Sequence, residues 1–186
     1  PVSAYLHAAA MVKAGVYLIA RLTPGFALIP GWSQVAVAFG LITMIIGAYR
    51  ALKQRDLKLV LAYGTVSQLG LMTAAVAMGS ASALAAGVVI LLAHSLFKSS
   101  LFLTVGAVEH STGTRDLWEL SGLWRQKPVL AAFAALAALS MAGVPITAGY
   151  LGKEGLIAAL YQGTGAPWLS TASGSVNGLS VTFLVF

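Results

Sequence analysis

The chain has 186 residues, 59% of them hydrophobic and 9% charged, with a formal net charge of +6 and no cysteine. A soluble domain carries roughly 25% charged residues, so the shortage of charge excludes an ordinary soluble fold. The basic excess is split among loops and apolar runs, without the basic stripe of a nucleic-acid surface, and the lack of cysteine excludes disulfides and thiolate metal sites.

Long runs rich in Gly, Ala, Leu and Val predict an all-α, polytopic transmembrane bundle with one discontinuous helix, not the alternating strands of a barrel. Residues 4–22 form the first span, with His7 and Lys13 inside it. These two are six apart, roughly 240° around a helix, so they do not share a face. Thr23-Pro24-Gly25 and Pro30-Gly31 read as a loop. Residues 33–49 are an uncharged span that ends in a basic turn over 50–58. Residues 59–79 follow, with Tyr63, Thr65, Ser67 and Gln68 making one side polar. That set reads mainly as interhelical hydrogen bonding.

Residues 84–108 form the fourth span, with His94 and Lys98 near its midpoint. Four apart, they share one helix face. A charged lysine at that depth costs about 2.5–3.5 kcal/mol on insertion scales, and intramembrane charges are functional by default. Ser95, Ser99 and Ser100 lie beside them, suited to holding water. A polar loop over 109–127 carries Trp118 and Trp124, which suit an interfacial belt.

Residues 128–162 exceed the ~20 residues of a single span. Ala142-Gly143-Val144-Pro145, Gly149 and Gly152 interrupt them, which predicts half-helices at about 129–141 and 151–162. Lys153 and Glu154 follow the break, a placement common to transport sites. The helix dipole would favour Glu154 at the new helix start. Residues 163–175 read as an uncharged loop and 176–186 as a partial span. An apolar run reaching Phe186, with Pro1 at the other end, predicts an internal piece of a larger membrane protein.

Lys/Arg placement sets the orientation. Arg50, Lys53, Arg55, Lys58, Arg115, Arg125 and Lys127 all fall in the two loops 50–58 and 109–127, against Arg21 alone on the opposite side. Both loops are therefore expected to be cytoplasmic. His94, Lys98, Lys153, Glu154, His7 and Lys13 are the candidate proton-transfer groups, because histidine titrates near neutrality and a buried lysine is readily neutralised. The three histidines lack metal-ligand spacing. There is no phosphate-binding loop or dinucleotide fingerprint, and no partnered serine nucleophile. The residues therefore imply neither metal nor cofactor.

The stretches PVSAYLHAAAMVKAGVYLIARLTP, DLKLVLAYGTVSQLG, AHSLFKSSLFL and AGVPITAGYLGKEGL resemble, in this order, the antiporter-like subunits of respiratory complex I and the large subunits of Mrp-type cation/proton antiporters. EHSTGTRDL and Lys13 most resemble the A-type subunits of the Mrp branch. The resemblance implies that His7, His94, Lys98 and Lys153 belong to a buried axis that carries protons, with Glu154 an acidic position beside it. Complex I members often have a histidine where Ile90 stands here, which favours the Mrp branch. A glutamate–lysine pair of the family's earlier half would lie upstream of Pro1.

The expected function is that of a transporter subunit, not an enzyme. It would move protons within a multisubunit membrane complex, coupled to monovalent cation export and most simply to sodium. The alternatives are the corresponding proton-pumping subunit of an NADH–quinone oxidoreductase, and a structural scaffold whose lysines only pair across subunits.

Overall fold

The computed structural model describes Leu6, residues 10–26 and residues 29–161. The expectations for His7, for the start of the first span and for residues 162–186 lie outside them. The described residues fold as α1 (Met11–Phe26), α2 (Trp32–Leu52), α3 (Leu57–Ala77), α4 (Ala81–Thr112), the short α5 (Leu123–Gln126), α6 (Pro128–Ala142) and α7 (Ala148–Tyr161). Among them α2, α3 and α4 are each long and apolar enough to cross a membrane. No strand forms among the described residues, only an isolated antiparallel bridge between Asp56 and Asp116.

Local chemistry sets the helix ends. The Asp56 carboxylate accepts from the Lys58 and Leu59 amides at 2.8 and 3.3 Å and caps α3. Ser80 caps α4 by accepting from Ala83 N–H at 3.2 Å. Gly113 (φ 76°) then ends α4, in the left-handed region where a side chain is disfavoured. Pro128 occupies the first turn of α6, where its missing N–H has no intrahelical role.

Several boundaries differ from those expected, two of them by a turn or so. Helix α1 runs through Pro24 to Phe26, in place of the loop that Thr23-Pro24-Gly25 predicts. The proline falls in the last turn, where it denies the Ala20 carbonyl an N–H but the helix ends two residues later, and the Thr23 hydroxyl donates to the Ile19 carbonyl at 2.8 Å. Helix α4 is 32 residues long and continues four residues past 108. Its polar last turn projects beyond the length that a bilayer requires.

Helices α2 and α3 approach through glycine. A Cβ on Gly40 would come within 2.7 Å of the Gly70 carbonyl oxygen, and one on Gly47 within 2.6 Å of the Ser67 amide nitrogen. Small residues that let backbones meet are the usual adhesive of membrane helices, where burial from water drives little association. Helix α4 runs antiparallel to α3 and also packs on α6 and α7. Phe97, Leu101 and Phe102 join Leu61 and Ala137 in one apolar cluster, and Ile90 joins Met72, Val76 and Leu156 in another. The outer faces stay apolar, with Phe39, Ile42, Ile45, Leu92 and Leu96 exposed. That is the inverse of a soluble protein and suits lipid or neighbouring helices.

The expected discontinuity is present between α6 and α7, over residues 143–147. The chain turns there with Gly143 at φ 83° and Ile146 at φ 80°.

Candidate functional site

His94 and Lys98 are both completely buried, one turn apart on α4. The Lys98 amine donates to the Leu61 carbonyl of α3 at 3.1 Å. The same carbonyl accepts the Thr65 hydroxyl at 2.8 Å. Gly64 leaves the space into which the amine fits, since a Cβ there would stand 3.0 Å from Lys98 Nζ. An ammonium held by a backbone carbonyl keeps a polar contact without an acidic partner, which answers part of its desolvation cost.

The His94 ring is held edge-on to Phe97, with centroids 5.3 Å apart. Neither of its ring nitrogens has a hydrogen-bond partner among the described residues. A buried imidazole normally has at least one.

Lys13 of α1 is 5% exposed, and its amine contacts the hydroxyl of Ser95, next in sequence to His94. The Ser95 hydroxyl also donates to Leu91 O at 2.8 Å. Thus α1 brings a second buried lysine to α4.

Lys153 of α7 is 7% exposed and completes the end of α6. A helix leaves its last four carbonyls without intrahelical partners. Here Val144 N–H bonds Leu139 O at 3.1 Å and Gly143 N–H bonds Ser140 O at 3.2 Å, a Schellman closure. The Lys153 amine donates to the remaining two, Met141 O at 3.0 Å and Ala142 O at 3.1 Å. A cation at a helix C-terminus is favoured by the dipole. Gly143 serves twice, since its φ is left-handed and a Cβ there would meet Lys153 Cδ at 2.9 Å.

Glu154 does not join this group. Its residue is exposed on the outer side of α7, and Tyr150, one turn back, is its neighbour. Nor is it in the first turn, because α7 begins at Ala148 and not near residue 151. Sequence reasoning also misses Ser140, whose hydroxyl accepts from Gly149 N–H at 3.3 Å and ties the two half-helices together.

Among the described residues, Lys13, His94, Lys98 and Lys153 are buried while every Asp and Glu is at least partly exposed. No group of three or more metal-ligating side chains forms among the described residues. The arrangement is a set of proton-binding nitrogens held by backbone carbonyls and hydroxyls.

A family model described as "NADH:quinone oxidoreductase/Mrp antiporter, TM" matches residues 1–180. The A1 subunit of the Na(+)/H(+) antiporter of Staphylococcus saprophyticus is 44% identical over 177 residues, covering 88% of this chain and 22% of that protein. The A/B subunit of a probable K(+)/H(+) antiporter of Rhizobium meliloti is 47% identical over 154 residues, covering 83% of this chain and 15% of that protein. A chain of the Mrp complex from Dietzia sp. DQ12-45-1b superposes with a TM-score of 0.89 at 43% identity, covering 100% of this chain and 20% of the other. A chain of respiratory complex I from Thermus thermophilus superposes with a TM-score of 0.70 at 25% identity, covering 93% and 37%. This chain therefore spans 15% to 22% of the curated relatives compared.

Proposed function

We propose, because this chain belongs to the transmembrane family shared by NADH:quinone oxidoreductases and Mrp antiporters, that it forms part of the proton path of a monovalent cation/proton antiporter. It would be one stretch of an A-type subunit within a multisubunit membrane complex, and its single transmembrane region would be part of a larger antiporter-like module. The carrying observation is that three lysines and a histidine are buried in one bundle without a buried carboxylate among the described residues. Such a set is costly as structure alone, and it is suited to exchanging protons.

The chemistry follows from the contacts. The charged form of Lys98 is held by the Leu61 carbonyl, and that of Lys153 by two carbonyls at a helix end. Charging one nitrogen raises the cost of charging its neighbours, so a proton arriving at one displaces another along the row. Lys13, at Ser95, and His94, one turn from Lys98, continue the row on one side of Lys98, and His7 would extend it. In the whole complex this movement would drive cation export, with sodium favoured by the 44% identical relative's name. The loops 50–58 and 109–127 would face the cytoplasm. Their bridge at Asp56 and Asp116 puts them at one end of the bundle, in keeping with the positive-inside rule. Glu154, exposed on α7, would meet a neighbouring segment or subunit, not the row.

A second reading, a redox-driven proton pump, draws on the likeness to the Thermus complex I chain. The residues would do the same work with another energy source. The test is Lys98→Ala in the full-length, fully assembled complex, with cation/proton exchange followed in everted vesicles. Exchange should fall to background. Normal exchange in an intact complex would defeat the proposal, and unchanged transport per surviving complex would favour a scaffold.

A further inference from the structure

Gln68 on α3, half-buried with its Oε1 enclosed, has no role in the row described so far. Its Oε1 has no hydrogen-bond partner among the described residues, and it shares that condition with both ring nitrogens of His94. Unpaired buried polar atoms are rare because each forfeits its bonds to water. Three such atoms on two packed helices call for a common explanation.

The register of α3 on α4 supplies one. Gly64 faces the Lys98 amine and Val76 lies against Gly87, so α3 advances twelve residues while α4 retreats eleven. One turn beyond Gly64 is Gln68, and one turn before Lys98 is His94. The two therefore fall at about the same level of the helix pair. Leu61, Gly64 and Gln68 also recur at helical spacing, so Gln68 continues the stripe that meets Lys98. Beyond this level the interface is apolar, with Met72, Val76 and Ile90 in one cluster.

We infer that Gln68 and His94 together hold a water molecule, and that Gln68 is a positioning residue for proton transfer through His94. Neither side chain alone offers the two to four polar partners that a buried water needs, whereas together they do. An amide both donates and accepts, so it can orient that water whichever nitrogen of His94 carries the proton. The amide itself keeps its protons. It fixes the water that exchanges them, between the Lys13 side of His94 and Lys98. This inference rests on the proton-path reading above.

The experiment uses the full assembled complex with Gln68→Met, Gln68→His and, as a control, Lys98→Ala. Methionine matches the length of glutamine without its hydrogen bonds, and histidine restores them. Gln68→Met should lower cation/proton exchange about tenfold, the effect of one lost hydrogen bond to a reacting group, while assembly stays intact. Gln68→His should return it to within about twofold of the parent. A cryo-EM map of the parent complex should place an ordered water within bonding distance of both Gln68 and His94, lost in Gln68→Met with the helices unmoved. Parental exchange in Gln68→Met, equal loss in both Gln68 variants, or a map in which the amide bonds another protein group would each overturn the inference. Parental exchange in Lys98→Ala would instead overturn the proton-path reading, and the map would still decide whether the water site exists.

Discussion

At the scale of single residues, the space around Lys98 is as specific as its charge. Its amine sits between the Leu61 carbonyl and the bare backbone of Gly64. A methyl group at position 64 would stand 3.0 Å from Nζ, closer than nitrogen and carbon ordinarily rest. The lysine is flexible and would yield by tenths of an ångström, stretching its 3.1 Å bond to Leu61 O. Gly64→Ala should therefore leave assembly intact and slow exchange about two- to fivefold, a barrier change of about 0.5–1 kcal/mol. The vesicle assay that reads Lys98→Ala checks it. An unchanged rate would mean that the Leu61 bond does not matter to transport. The charge at Lys98 is legible in the sequence, since a lysine inside an apolar run stands out. Its partner is not, because a backbone carbonyl has no letter of its own.

At the scale of helices, glycine divides into positions that permit contact and positions that only lower propensity. Gly70 is of the first kind, for a Cβ there would come within 2.5 Å of Gly40 O and 2.6 Å of Met44 N. Both obstacles are backbone and cannot rotate away. Gly106 of α4 is of the second kind, with nothing within 4 Å of its added Cβ. Gly70→Ala should therefore destabilise the α2–α3 pair by about 1–3 kcal/mol, the usual cost of overpacking. Gly106→Ala should leave stability unchanged or raise it by up to about 1 kcal/mol. Apparent melting temperatures of the purified complex would separate them, and an equal response would show that α2 and α3 reseat easily. The sequence does not distinguish these glycines, since both sit in apolar helical runs. The break at 143–147 is different, because Gly143 and Pro145 interrupt a run too long for one span. The interruption is therefore readable, but not the capping of α6 by Lys153. The exposure of Glu154 beside buried Lys153 is unreadable for the same reason. One residue further along a helix turns the side chain by about 100°, and only packing decides which neighbour is buried.

At the scale of the whole molecule, two loops far apart in sequence close one end of the bundle. The Arg115 guanidinium pairs with Asp56 at 3.2 Å and Glu109 at 3.3 Å, and the Lys58 amine also pairs with Glu109. Two backbone bonds join the same segments, Leu57 N–H to Arg115 O at 3.1 Å and Leu117 N–H to Arg55 O at 3.0 Å. The basic character of both loops is visible in the sequence, but their joining is not, because an Asp–Arg pair between distant loops leaves no periodic trace. Asp56 does two things here, capping α3 and pairing with Arg115. The two contributions separate by substitution. Asp56→Asn keeps a capping oxygen and loses the charge, whereas Asp56→Ala loses both. The ion pairs are partly exposed, with the Arg115 side chain 43% accessible, so each is worth under about 1 kcal/mol and is screened by salt. Losing the cap costs about 0.5–2 kcal/mol and does not depend on salt. Thermal unfolding of the complex at low ionic strength should rank the parent above Asp56→Asn and Arg115→Ala, with Asp56→Ala lowest. Raising the salt should bring Asp56→Asn and Arg115→Ala up to the parent and leave Asp56→Ala behind. If salt erased all three differences, charge and not the helix cap would be what anchors this end of the bundle.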